Sequence, residues 1–127
     1  MNTTDATRLV IVEDELAVAS MYQFKLTQHG FNVRTAKNGK EGLELIKEFK
    51  PALILLDLRM PEMSGDEMLE HLRSMEGGTS IRVIILTNIS KDEAPTSLRF
   101  YNVDRYIVKA HYTPSQVVSI VNEVLDT

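Results

Sequence analysis

The chain has 127 residues, a net charge of −4 and no cysteine, so it suits one domain with a core of its own and excludes disulfides, thiolate zinc sites and cysteine nucleophiles. Hydrophobic residues make up 43% and charged residues 25%, ordinary for a soluble globular protein. Its apolar runs fall far short of the roughly 20 residues of a membrane span, and no basic block offers the clustered Lys and Arg that nucleic acid requires, so neither partner is expected. The polar stretch Met1 to Thr7 lacks the apolar segment of a signal peptide, which makes the cytoplasm the expected location and 1–127 a single domain.

In chain order, short apolar runs predict strands at Leu9 to Val12, Phe31 to Ala36, Ala52 to Leu56, Val83 to Leu86 and Tyr106 to Val108. Runs without a polar residue at every second position suit strands covered on both faces, as in parallel sheets. Helical spacing lies between them. Ala17, Met21 and Phe24 predict a core-facing stripe that ends at Gly30, a residue suited to a left-handed helix stop. Leu45, Ile46 and Phe49 make a second stripe, and Met68, Leu69 and Leu72 a third. A fourth helix is expected near Asp92 or later, because Pro95 cannot donate a backbone hydrogen bond. In the last helix Val117, Ile120, Val121 and Val124 face the core, and Thr113, Pro114 and Gln116 mark its start as a capping box. Ser64 with Glu67 and Ser90 with Glu93 are further capping candidates. The pattern is α/β, a (βα)₅ chain whose right-handed crossovers give a doubly wound sheet with helices on both faces.

The chemistry lies at the carboxyl ends of the strands. Glu13 and Asp14 come directly after the first, Asp57 after the third, Thr87 after the fourth and Lys109 after the fifth. Open α/β sheets bind ligands outside the carboxyl ends of their strands, where strand order switches, so these groups are expected to share one crevice. Each alone is commonplace: an Asp after a strand caps a helix, a Thr is a good strand former, a Lys is a solvated charge. Together they make chemical sense. Three crowded carboxylates repel one another, and Mg²⁺, which takes one or two carboxylates with waters and phosphate, relieves that repulsion. A carboxylate such as Asp57 can also act as a nucleophile and become an aspartyl-phosphate, with Lys109 and Thr87 neutralising the phosphoryl oxygens. His29, His71 and His111 fit no metal spacing.

At these residues the chain, from about Thr7 to Leu125, resembles the receiver domains of two-component response regulators (the CheY-like superfamily). Leu55-Leu56-Asp57-Leu58-Arg59-Met60-Pro61-Glu62-Met63-Ser64-Gly65 resembles the family's phosphoacceptor segment. Val12-Glu13-Asp14-Glu15 resembles its acidic pair, Ile85-Leu86-Thr87 its hydroxyl-bearing strand end, and Asp104 to Lys109 its segment with an aromatic three residues before the Lys. The resemblance implies a flavodoxin-like fold with strand order 2-1-3-4-5. It implies phosphorylation of Asp57 by a sensor histidine kinase or a histidine phosphotransfer protein, in a signalling domain and not a classical enzyme. Mg²⁺ would be held by Asp14, Asp57 and the Arg59 carbonyl, with Glu13 acting through water. Thr87 and Lys109 would bind the phosphoryl group, and Tyr106 would turn inward as Thr87 moves. That movement would change the surface of the fourth helix, fifth strand and fifth helix, through which a homodimer or an output partner could be reached.

Two positions depart from the pattern. Asn88 stands where a small residue is usual, and Ala110 where Pro, often cis, is usual. A cis bond before a non-proline residue costs about 2.5–4 kcal/mol, so Lys109-Ala110 is expected to be trans. These departures favour one alternative, a receiver-like binding module that works without phosphorylation. Another alternative, a phosphatase or phosphotransferase with a nucleophilic Asp, would usually carry a second Asp two positions on, where Arg59 stands.

Overall fold

The computed structural model describes residues 6–127; most of the polar N-terminal stretch lies outside them. Five strands form one parallel sheet: β1 (Arg8–Val12), β2 (Asn32–Ala36), β3 (Leu53–Leu56), β4 (Arg82–Thr87) and β5 (Arg105–Val108). Their order is β2-β1-β3-β4-β5. The α-helices are α1 (Leu16–Gln28), α2 (Gly39–Phe49), α3 (Gly65–Ser74) and α4 (Pro114–Leu125). Each strand lies within one residue of its expected start and end.

Period-2 alternation along the strands splits the core into two layers. Leu9, Ile11, Leu53, Leu55, Ile84, Leu86 and Ile107 point to the face covered by α1 and α4. Val10, Val12, Ile54, Leu56, Val83 and Ile85 point to the face covered by α2 and α3. Both layers are apolar, which is why the central strands β1, β3 and β4 read as nearly unbroken apolar runs. The expected stripes of α2, α3 and α4 face this core: Ile46, Phe49, Met68, Leu69, Leu72, Val117, Val121 and Val124 are buried, with Leu45 and Ile120 half-buried. Gly30, at φ 90°, ends α1, and the next amide, Phe31 N–H, returns to the Leu26 carbonyl at 3.3 Å. The Thr113–Gln116 capping box is complete, and Ser64 Oγ accepts from the Glu67 N–H at 3.4 Å.

Two expectations are corrected. Helix α1 turns Ala19, Tyr22 and Leu26 inward, not Ala17, Met21 and Phe24. Leu16, Met21 and Phe24 are exposed, at 77%, 44% and 66% of their full accessible surface. The helix is apolar around its circumference, so two stripes satisfy the same spacing and only its docking on the sheet decides between them. The second correction is the fourth helix. Between β4 and β5 there are two short 3₁₀ turns, Lys91–Glu93 and Thr96–Phe100. Pro95 forces Ala94 into an extended conformation, φ −67° and ψ 148°, which splits the segment in two. Leu98 is its one buried residue.

Arg73, in the last turn of α3, fastens the far end of this segment. Its guanidinium donates to the carbonyls of Gly78, Ile81, Tyr101 and Asn102 at 2.7–3.0 Å. Among the described residues, no helix is long and apolar enough to cross a membrane.

Candidate phosphoacceptor site

Strand pairing alone brings the polar residues together. Val12 is in register with Leu56, Leu56 with Ile85, and Thr87 with Val108. One residue further on, the Asp57 N–H donates to the Val12 carbonyl at 3.0 Å and the Glu13 N–H to the Ala36 carbonyl at 2.9 Å. Glu13, Asp57, Thr87 and Lys109 therefore meet at the carboxyl edge of the sheet. Asp14 joins them from the loop into α1.

Glu13, Asp57 and Thr87 are buried, and Asp14 is exposed. One carboxylate oxygen each from Glu13, Asp14 and Asp57 lies within 4.8 Å of the others. Lys109 Nζ donates to Glu13 Oε1 and, at 3.4 Å, to Asp57 Oδ2. Asp57 Oδ1 accepts from the Arg59 N–H at 3.3 Å, and Glu13 Oε2 from the Glu15 N–H at 3.1 Å. Burial pushes the Glu13 carboxyl above its ordinary range, against the pull of Lys109. For Lys109, burial acts to lower the pKa, but the hydrogen bond to Glu13 and the charges of Asp57 and Glu13 outweigh it and hold the ammonium above its usual value. Buried acids of one sign around a single cation are the electrostatic signature of a functional site.

The loop after β3 is shaped for this crevice. Gly65 packs on the Asp57–Leu58 backbone, where a Cβ would sit 2.8 Å from Leu58 Cα, and its N–H donates to the Leu58 carbonyl at 2.9 Å. That gives the Gly eight positions after Asp57 a physical reason: any side chain would separate α3 from the Asp57–Leu58 backbone. Glu62 takes a left-handed φ of 69°, inside a tight turn closed by Met63 N–H to the Pro61 carbonyl at 2.7 Å.

Across the crevice, Thr87 Oγ1 accepts from the Ile89 N–H at 3.4 Å. Tyr106, half-buried, donates its hydroxyl to the Ile89 carbonyl at 2.7 Å. Asn88 is exposed and Ala110 lies in the turn Lys109–His111. The Lys109-Ala110 bond is trans, as expected, since the described residues contain no cis peptide. His29, His71 and His111 take no part in the cluster.

Tyr22 escaped the sequence reading. It is buried on α1, and burial pushes its phenol up, with smaller opposed influences from Lys109 and Glu13. An aromatic inside a helix that is apolar all round carries no sequence signal that it turns inward.

Mg²⁺ fits this donor set: hard oxygen ligands on Asp14 and Asp57, a nearby Glu13, and solvent access through exposed Asp14 for the waters Mg²⁺ keeps. The Arg59 carbonyl belongs to the same loop.

The comparisons with known proteins agree with this geometry. The sequence model of the response regulator receiver domain matches residues 9–122. The cell cycle transcriptional regulator CtrA of Caulobacter vibrioides is 34% identical over 113 residues, which are 89% of this chain and 48% of the relative. A probable transcriptional regulator, ycf29, of Porphyra purpurea is 32% identical over 118 residues, 92% of this chain and 56% of the relative. The chain thus spans about half the length of the curated relatives it matches. A CheY-like receiver domain protein from Methanospirillum hungatei superposes with a TM-score of 0.87 at 28% identity, covering 96% of this chain and 95% of the other. Chemotaxis protein CheY4 of Vibrio cholerae shares the fold, with a TM-score of 0.87 at 22% identity over 94% and 98% of the two chains. With a flavodoxin-like sheet of order 2-1-3-4-5 and a family match across nearly its whole length, this chain belongs to the response regulator receiver domains of two-component systems.

Proposed function

We propose that Asp57 accepts a phosphoryl group from a sensor histidine kinase or a histidine phosphotransfer protein, in the cytoplasm, with residues 1–127 acting as one receiver domain. The observation that carries this reading is the Asp57 carboxylate: buried, 3.4 Å from the Lys109 ammonium, and within 4.8 Å of two further carboxylates. An Asp57 oxygen forms a bond to phosphorus as the bond to the donor's imidazole nitrogen breaks, and the electron pair leaves with that nitrogen. Little covalent help is needed for such a transfer; positioning and charge neutralisation do most of the work.

Asp14, Asp57 and the Arg59 carbonyl would hold Mg²⁺, with Glu13 acting through water. When bound, that ion supplies positive charge to the equatorial phosphoryl oxygens. Lys109 exchanges its contact with Asp57 for one with a phosphoryl oxygen. Thr87, whose oxygen already accepts from Ile89, turns its proton toward another.

Ile89 joins Thr87 to Tyr106 through its own backbone, so movement of the Thr87 hydroxyl is felt at the tyrosine. This supports Tyr106 as the switch residue that alters the surface built from residues 91–100, β5 and α4. That surface would meet an output partner or a second copy of the chain. Leu16, Met21 and Phe24, exposed on α1 beside the acidic loop, give the phosphodonor protein an apolar strip to dock on.

Intact mass after incubation with acetyl phosphate tests the reading. One phosphoryl adduct is expected in wild type with Mg²⁺, and none in Asp57→Ala or without the ion. An adduct that persists in Asp57→Ala overturns the assignment. No adduct in wild type, with Mg²⁺ binding shown separately, favours the phosphorylation-independent module.

A further inference from the structure

The β2 edge of the sheet and the C-terminal end of α2 together carry four cations, Arg8, Arg34, Lys47 and Lys50. Arg34 on β2 stacks over the Phe49 ring, its guanidinium carbon 4.3 Å from the centroid. Arg8 on β1 approaches the same ring at 5.9 Å and donates to the Lys50 carbonyl from Nε and Nη2, at 3.2 and 3.1 Å. Lys50 caps α2 in a left-handed conformation, φ 53°. With Lys47 it forms one wall of an open cleft of about 820 Å³ between the C-terminal ends of α2 and α3. The apolar part of the cleft is Ile46, Pro51, Met75 and Ile81. All four cations are exposed, and none belongs to an ion pair among the described residues. Stacking on Phe49 accounts for where Arg8 and Arg34 lie. It does not account for Lys47 and Lys50, which line the neighbouring cleft.

We propose that this face binds an acidic protein segment, its carboxylates on the strip from Arg34 through Lys50 to Lys47 and an apolar side chain in the cleft. A stacked guanidinium keeps its edge donors directed outward, in the fork that matches a carboxylate. Nucleic acid fits less well. A phosphodiester backbone carries no apolar side chain for the cleft of Ile46, Pro51, Met75 and Ile81, and Glu76, also on the cleft, keeps the carboxylates of any acidic segment on the cation strip.

Titration of the isotope-labelled chain with a short synthetic peptide of Glu, Asp and Leu, followed by amide chemical shifts, tests this. Saturable shifts are expected at Arg34, Lys47, Phe49, Met75 and Ile81, with affinity about tenfold lower in Lys47→Glu or Arg34→Gln. They should vanish with a peptide carrying Gln for Glu and Asn for Asp. Both variants alter exposed side chains, and their unperturbed spectra before titration establish that they fold. Shifts that survive both substitutions, or an absence of saturable shifts at these residues, overturn the proposal. An oligonucleotide of matched charge bound as tightly as the peptide overturns it in favour of nucleic acid.

Discussion

The Tyr106 hydroxyl donates to the carbonyl of Ile89 at 2.7 Å, while the N–H of the same Ile89 donates to Thr87 Oγ1 at 3.4 Å. One residue therefore carries both ends of the link between the crevice and the outer surface. Tyr106→Phe removes the first bond and leaves the carbonyl to find water, at a cost of about 1 kcal/mol. Urea denaturation should show that loss. Faster amide exchange at Ile89 and Ser90 should accompany it, and phosphorylation of Asp57 itself should continue.

Among the described residues, Lys109 is the one cation paired with the acids of the crevice. Lys109→Met leaves Glu13 and Asp57 buried without a counter-charge, and about 3 kcal/mol of stability should be lost near neutral pH. Glu13 already sits above its ordinary range, raised by burial, and in this variant only the Glu15 N–H still pulls it down. A carboxyl whose folded value is raised stabilises the fold below its unfolded value and loses that contribution as pH rises through the folded value. The variant should therefore regain stability on acidification, and adding Glu13→Gln should abolish that gain. Thermal melts at several pH values would measure both.

In wild type, Lys109 gives the opposite edge of the profile. Its ammonium is held above the usual value, so its stabilising contribution is complete below the ordinary lysine range and falls as pH rises through the raised one. Alkaline melts of wild type and Lys109→Met should converge.

Gly65→Ala places a methyl group against Leu58 Cα and the Asp57 backbone. Overpacking of this kind costs roughly 1–3 kcal/mol. Here it also moves Asp57, the proposed acceptor, so both the melting temperature and the yield of phosphoryl adduct should fall. Ala at exposed Ser74 serves as the control that leaves both unchanged.

Pro95→Ala restores a backbone donor and frees Ala94 from its extended conformation. Residues 91–100 should then join into one helix, read as increased far-ultraviolet circular dichroism and as helical carbon shifts at Ala94.

Much of this was legible in the sequence because the chemistry sits next to the strongest local signal. Asp57 follows Leu53 to Leu56, and Thr87 follows Val83 to Leu86; a buried strand announces both itself and the residue standing at its end. The inward face of α1 was not legible, since Leu16, Met21 and Phe24 are as apolar as the Tyr22 and Leu26 that are buried. Pro95 warned of trouble in the fourth helix but not that 3₁₀ turns would replace it. Arg73 was silent. A basic residue in the last turn of a helix reads as a charge answering the dipole, and its four carbonyl partners come from loops that no local pattern connects to it.

Arg73 also sets the reach of any signal. Residues 91–100 are tethered at one end where Tyr106 grips Ile89, and at the other where Arg73 holds Tyr101 and Asn102. If Thr87 moves as proposed, the displacement would enter a span with a fixed far anchor and be absorbed within it, as slack is taken up in a cord tied at both ends. Such a span transmits a change of shape but little net travel. A partner that senses the state of Asp57 would have to touch the span itself, together with the β5 and α4 surface beside it.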